Sequence, residues 1–197
     1  MNTTTTTPRR LIVGMSGASG AIYGIRILQA LQGSGIETHL VMSESARITL
    51  ASESDMTCAD VEALACEVHH VRNIGATVSS GSFKTMGMVI APCSIRTLSE
   101  VAWGGTVSLL TRAADVVLKE RRRLVLMLRE TPLHAGHIQS MLQATHNGAI
   151  VMPPVPAFYA RPKTIDDIVN HSVGRVLDLF DIETNLVERW AGLGKKS

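Results

Sequence analysis

Two stretches of this chain combine residue types and spacings that could do chemistry. The first, GMSGASGAIYG over 14–24, places four glycines with Ser16 and Ser19 between the apolar run LIV and the pattern IRILQALQ. A glycine-rich strand-to-helix turn lets backbone N–H groups approach a phosphate, and the helix N-terminus adds favourable partial charge. Gly17, Ala18 and Ser19 stand at that turn. The spacing G-x-x-G-x-x-G-x-x-x-G is neither the dinucleotide fingerprint nor the Walker pattern, which argues against NAD and ATP. A tight turn with close helix packing explains the same glycines, and the loop alone does not choose between the two readings. Ser43 in MSESA and Ser80 with Ser82 in SSGSF add two more hydroxyl-bearing turns. Placed near one sheet edge, the three turns suggest a phosphorylated ligand.

The second stretch is TRAADVVLKERRRLVLMLRETP over 111–132. On a helix, Arg112, Asp115 and Lys119 lie three and four residues apart and share a face. Arg129 and Glu130 follow the next apolar run, where a parallel sheet usually collects its ligands. Arginine grips phosphate oxygens as a fork, lysine neutralises a departing phosphate as a point charge, and a neighbouring carboxylate can hold or relay a proton. Arg121, Arg122 and Arg123 read more simply as a solvated face with ordinary ion pairs.

Short apolar runs alternating with helical patterns must position these residues, and that alternation predicts a parallel sheet covered by helices. The strands are predicted at Leu11–Met15, Thr38–Met42, Gly87–Pro92, Leu124–Leu128 and Ala149–Pro154. Helices are expected near Ala21–Gln32, Glu44–Ser52, Cys58–Glu67, Ile95–Ala102, Ser108–Arg122, His137–Thr145 and Asp166–Phe180. Strands that are apolar throughout are buried on both faces, which gives a three-layer α/β sandwich with a mostly parallel sheet.

At 197 residues and 45% apolar content the chain has the size of one domain with a real core. We expect a single domain over 9–197 behind a solvated, disordered threonine-rich tail at 1–8. A net charge of +2 and 4% aromatic residues give no support to nucleic-acid binding or a disordered chain. No run approaches the roughly 20 apolar residues of a membrane span. Cys58, Cys66 and Cys93 form neither a disulfide framework nor a zinc ribbon, so a reducing, cytoplasmic setting is expected.

Six segments in order, GMSGASGAIYG, SSGSF, APCSIRTLSEVAWG, TRAADVVLKERRRLVL, RETPLH and MPPVPAFYARPKTIDDIV, resemble the flavin prenyltransferases. That family includes the small subunits associated with hydroxyarylic-acid decarboxylases, and the resemblance runs from about Leu11 to Trp190. It implies a Rossmann-like, flavodoxin-like homo-oligomer, with a dodecamer among the expected assemblies. Such a protein joins the dimethylallyl group of dimethylallyl phosphate to N5 and C6 of reduced FMN. The prenylated FMN then serves a separate aromatic-acid decarboxylase.

By motif, the resemblance implies FMN contacts at Gly17, Ala18, Ser19, Ser43, Ser94, Thr97 and Arg112, with Ser43 and Arg112 toward the phosphate. It implies dimethylallyl-phosphate contacts at Ser80, Lys119, Arg129, Tyr159 and Arg175, some from neighbouring subunits, with Glu130 as the acid near that phosphate. Glu53 and Ser19 fall beside the reacting centre. Breaking an allylic C–O bond leaves a cation and a phosphate, which suits basic side chains around one and an electron-rich ring facing the other. No Asp-rich magnesium motif is visible, and DDIVN reads as a helix first turn, so metal-independent chemistry is expected. Two alternatives share this fold: an FMN-dependent cysteine decarboxylase and a non-catalytic flavin carrier subunit.

Other residues invite chemistry less strongly. His134 and His137 have metal-like spacing without a third ligand, so helix-start or interface roles are favoured for them. His69 and His70 read as solvated linker residues, and Cys93 as apolar filler. Tyr159 lies in a proline-stiffened loop, and Trp190 suits either an interface or a cover over the site.

Overall fold

The computed structural model describes residues 8–187. Trp190 and residues 1–7 of the expected tail lie outside them. Apolar runs form β1 (Arg10–Met15), β2 (Glu37–Met42), β4 (Gly87–Cys93) and β5 (Arg123–Leu128), nearly all buried as expected for strands covered on both faces. Two short strands complete the sheet at its margins, β3 (Glu67–His69) and β6 (Ile150–Val151). The order is β3-β2-β1-β4-β5-β6, and every pairing is parallel.

This order winds outward from β1 in one direction and from β4 in the other, so the switch point lies between those two strands. Ser16 fastens them there. Its hydroxyl donates to Pro92 O at 2.9 Å and accepts the Ser94 N–H at 2.7 Å.

The helices are α1 (Ala21–Leu31), α2 (Glu44–Glu53), α3 (Cys58–Glu62), α4 (Ile95–Ala102), α5 (Leu109–Lys119), α6 (Ala135–His146) and α7 (Ile165–Asp178). One apolar core packs α1, α2 and α7 on one face of the sheet, and a second packs α4, α5 and α6 on the other. Local chemistry sets the helix starts: Ser43, Ser94, Ser108 and Thr164 each accept a backbone N–H of the first turn. Thr164 and Asp167 form a full capping box.

The structure corrects the expected elements in three places. The helix expected over Cys58–Glu67 stops at Glu62. Cys66 N then donates to Thr38 O at 3.1 Å, drawing the chain into the sheet as β3. His69 is therefore a buried strand residue, 6% exposed, and not a solvated linker residue. The expected strand at Ala149–Pro154 shrinks to Ile150–Val151, because Pro153 and Pro154 have no N–H for a ladder. Cys93 is fully buried, and burial pushes its thiol pKa up, in keeping with a filler role. No helix among the described residues is long and apolar enough to cross a membrane.

Candidate functional site

In a parallel sheet with covering helices, helix N-termini gather at the carboxyl ends of the strands. Here those of α1, α2 and α4 follow β1, β2 and β4 directly. Gly20 takes the left-handed conformation, φ 104°, that starts α1. At Gly17 an added Cβ would fall 2.4 Å from the Ser45 side chain, so only glycine lets the loop lie this close to the Ser43 turn.

Glu53, the last residue of α2, closes the glycine loop. Its Oε2 accepts the N–H groups of Gly20 at 2.8 Å and Ala21 at 3.1 Å. Partial desolvation would raise its pKa. Hydrogen bonds from the Ser19 hydroxyl and from Gly20 and Ala21, with the Arg129 guanidinium nearby, hold it below the ordinary carboxylate range instead. Arg129 follows β5, its N–H fixed on Cys93 O at 3.0 Å. It also acts on Tyr23, whose phenol burial raises and Arg129 partly restores. Glu53, Ser19, Tyr23 and Arg129 thus form one electrostatic unit beside the switch point. Glu130 is next in sequence, and its Oε1 accepts the Thr131 N–H at 3.0 Å.

Beside this unit a crevice of about 510 Å³ is walled by Ser43, Ser45, Ser94, Thr97, Ser108 and Thr111. That volume suits a small-molecule site. These hydroxyls stand at the N-termini of α2, α4 and α5, an arrangement suited to an anion, and Arg72, Arg96, Glu44 and Glu100 line the same crevice. A second hollow of about 710 Å³ lies along α7, where Tyr159, Arg161, Asp167 and His171 line it. The Tyr159 hydroxyl lies 3.1 Å from His171 Nε2. Arg175, one turn beyond His171, pairs with Asp178 at 2.8 Å.

The remaining expected contacts point elsewhere. Arg112 pairs with Asp115 at 2.8 Å on the outward side of α5 and is not part of the crevice wall. α5 starts where Leu109 N meets Val71 O, beyond the carboxyl end of β3, and runs to Lys119, just before β5 begins. Lys119 therefore lies at the amino edge, where it pairs with Glu120 at 2.6 Å. Ser80 is there too, since an added Cβ on neighbouring Gly81 would sit 2.9 Å from Lys119 Nζ. The expectation that SSGSF shares an edge with the other hydroxyl turns is thus corrected: residues 70–86 carry the chain back across the sheet before β4 begins. The six residues of β5 put about 20 Å between this group and Arg129.

Sequence reasoning passed over Tyr23, Ser108, Thr111 and His171. His171 was within reach, because it precedes Arg175 by four residues on one helix and so shares its face. Tyr23 carries no such signal, since only the fold brings it near Arg129.

A family model described as Flavoprotein matches residues 1–177. The flavin prenyltransferase UbiX of Thauera aromatica is 62% identical over 183 residues, covering 93% of this chain and 94% of that protein. The crystal structure of AnUbiX (PadA1) in complex with FMN and dimethylallyl pyrophosphate superposes with a TM-score of 0.93 at 50% identity, covering 94% of this chain and 99% of that one. A dodecameric FMN-dependent UbiX-like decarboxylase from Escherichia coli O157:H7 gives a TM-score of 0.91 at 49% identity, covering 93% and 100%.

Proposed function

The chain belongs to the flavin prenyltransferase family, and from that premise we propose that it joins a dimethylallyl group to reduced FMN at the carboxyl edge of its sheet. The observation that carries this reading is the Glu53 carboxylate, fastened to the first turn of α1 within the field of Arg129. We take 9–197 as one flavoprotein unit acting in the cytoplasm, and the prenylated flavin as cofactor for a partner aromatic-acid decarboxylase.

The crevice fits a flavin phosphate. Ser43, Ser94 and Thr97 present hydroxyls at helix starts, and Gly17 to Ser19 form the adjoining wall without a bulky side chain. When bound, reduced FMN supplies the electron-rich ring that receives the prenyl carbon. Everything else falls to the chain.

Cleavage of the allylic C–O bond separates a carbocation from a phosphate, so this step needs fixed positive charge around the departing oxygens. Arg129 supplies it from the end of β5, with Tyr159 and Arg175 as further grips. Lys119 and Ser80 lie at the opposite edge from Arg129 within one protomer, so a second copy brings them to the same phosphate, while Arg112 serves the phosphate of FMN. This makes a homo-oligomer part of the site, and the similar protein from Escherichia coli O157:H7 is dodecameric. Glu53, ionised at neutral pH, stabilises the allylic cation and accepts a proton at its carboxylate, while Ser19 holds that carboxylate in place. Glu130 is the acid beside the phosphate, its Oε1 held by the Thr131 N–H.

Anaerobic incubation of the pure protein with reduced FMN and dimethylallyl phosphate should add the mass of one prenyl group to the flavin. Glu53→Gln should keep flavin bound yet lose at least about a hundredfold in transfer, the usual scale for a positioned acid–base group. An unchanged flavin mass with the unaltered protein overturns the reading. Decarboxylation of a peptidyl cysteine, or flavin held without transfer, would favour the two alternatives.

A further inference from the structure

Away from the flavin crevice, three side chains from β2 and β3 converge on one point. His39 Nδ1 lies 3.0 Å from His69 Nε2 and 3.4 Å from Glu67 Oε2. The three ligand atoms all fall within 4.8 Å of one another. Strand register explains the cluster, because His39 pairs with Glu67 and Val41 with His69, so alternate residues of both strands project to one face. The imidazoles are interior, at 0% and 5% side-chain exposure, while Glu67 is 49% exposed and opens the cluster to solvent.

Proton accounting shows what the cluster lacks. His39 Nε2 lies 3.0 Å from Glu37 Oε1 and must carry a hydrogen, since a carboxylate only accepts. Its Nδ1 is then a lone pair, so the hydrogen in the contact between the rings comes from His69 Nε2. That leaves His69 Nδ1 bare, 3.6 Å from Glu67 Oε1. Two unprotonated nitrogens and a carboxylate therefore face one another around a single proton. A second proton would place a charge among buried rings. A divalent cation relieves the same repulsion without a protonated ring.

We propose that His39 Nδ1, His69 Nε2 and Glu67 bind a zinc-class divalent ion that clips the edge strand β3 to β2. Tetrahedral zinc with bonds near 2.0–2.1 Å holds its ligands about 3.3 Å apart, close to the 3.0 Å and 3.4 Å that separate His39 Nδ1 from His69 Nε2 and Glu67 Oε2. Two imidazoles and a carboxylate suit zinc over calcium or magnesium, which prefer all-oxygen sets. The His69 proton shifts from Nε2 to Nδ1, where Glu67 Oε1 accepts it, so both rings stay neutral. Glu37 orients His39 from behind and is itself held by Arg10 at 3.0 Å, the carboxylate–histidine–metal arrangement of many zinc centres. The ion takes no part in prenyl transfer. It stiffens the start of the 70–86 connection, whose Val71, Arg72 and Ile74 wall the flavin crevice.

The test uses the full-length protein stripped of metal, titrated with Zn2+ against a chromophoric chelator and with Co2+ as a spectroscopic probe. One Zn2+ per chain and visible Co2+ d–d bands are expected. His69→Gln should weaken Zn2+ binding about a hundredfold, and Glu67→Gln, at a half-exposed position, about tenfold. The double variant His134→Gln/His137→Gln should bind as the parent does. No saturable equivalent, an affinity unchanged in Glu67→Gln, or an equivalent lost only with His134 and His137 overturns the proposal.

Discussion

At the carboxyl edge of the sheet, the turns at Ser43 and Ser94, the glycine loop and Arg129 surround open space. At the amino edge, similar residues surround the chain's own atoms: Arg122 donates to Gly81 O at 2.7 Å and to Phe83 O at 2.6 Å, and Lys119 pairs with Glu120. The difference follows from helix polarity. Covering helices bring unpaired N–H groups to one edge and unpaired carbonyls to the other. At the first edge the Glu53 carboxylate takes up two of those N–H groups and the proposed flavin phosphate would take up others, whereas basic side chains already complete the second. Within one protomer, Arg122 at the amino edge therefore ties the chain together, whereas Arg129 at the carboxyl edge is left for a ligand.

The widest expected contrast is between two arginines. Arg129→Ala should lower prenyl transfer at least about a hundredfold with little change in melting temperature, as when a preorganised donor is lost from an active site. Arg122→Ala should spare the chemistry but destabilise the protein by about 2–3 kcal/mol, because it strips charged hydrogen bonds from two carbonyls. Kinetics and denaturant unfolding of the two purified variants check this. If both lose only stability, the division between the edges fails.

Lys119 sharpens the comparison further. Its exposed pair with Glu120 is worth less than about 1 kcal/mol, so Lys119→Ala should keep its stability while losing about tenfold in transfer. Lys119→Ala and Glu53→Gln protomers, mixed and reassembled, should regain activity that neither has alone, because some sites then draw an intact residue from each. Mixtures no better than the sum of their parts would place both groups in one protomer's site.

The smallest effect is on the acid side. The pKa values of Glu53 at one edge and Glu37 at the other both lie below the ordinary 4.5, so each stabilises the fold above that pH. That contribution is lost as pH falls through the depressed values. Glu53→Gln should therefore flatten the fall in melting temperature below pH 4.5, compared with the parent. Identical acid limbs would show that the Glu53 contacts add nothing to stability.

Much of this was legible in the sequence. Three strands show as apolar runs and β2 as a shorter one after Thr38 and His39, and Ser43, Ser94 and Ser108 stand at helix starts, where the structure has them as caps. β3 was not legible, because three residues reading EVH carry no period and CADVEALACEV continues a helical pattern. What stops that helix is a contact with Thr38, more than twenty residues earlier. The grouping of site residues was only half legible. Spacing put Arg112, Asp115 and Lys119 on one helical face, but only the direction of α5 tells which edge of the sheet each approaches.

The margins of the sheet constrain how copies of this chain can meet. β3 and β6 are stubs of three and two residues, too brief to template a strand from a neighbour. Association is thereby steered away from ribbon-like growth and onto helical surfaces, where side chains rather than main-chain ladders choose the partner. Such contacts build a ring or a cage when their rotation closes, and under the proposed function each junction would lend Lys119 to the pocket next door.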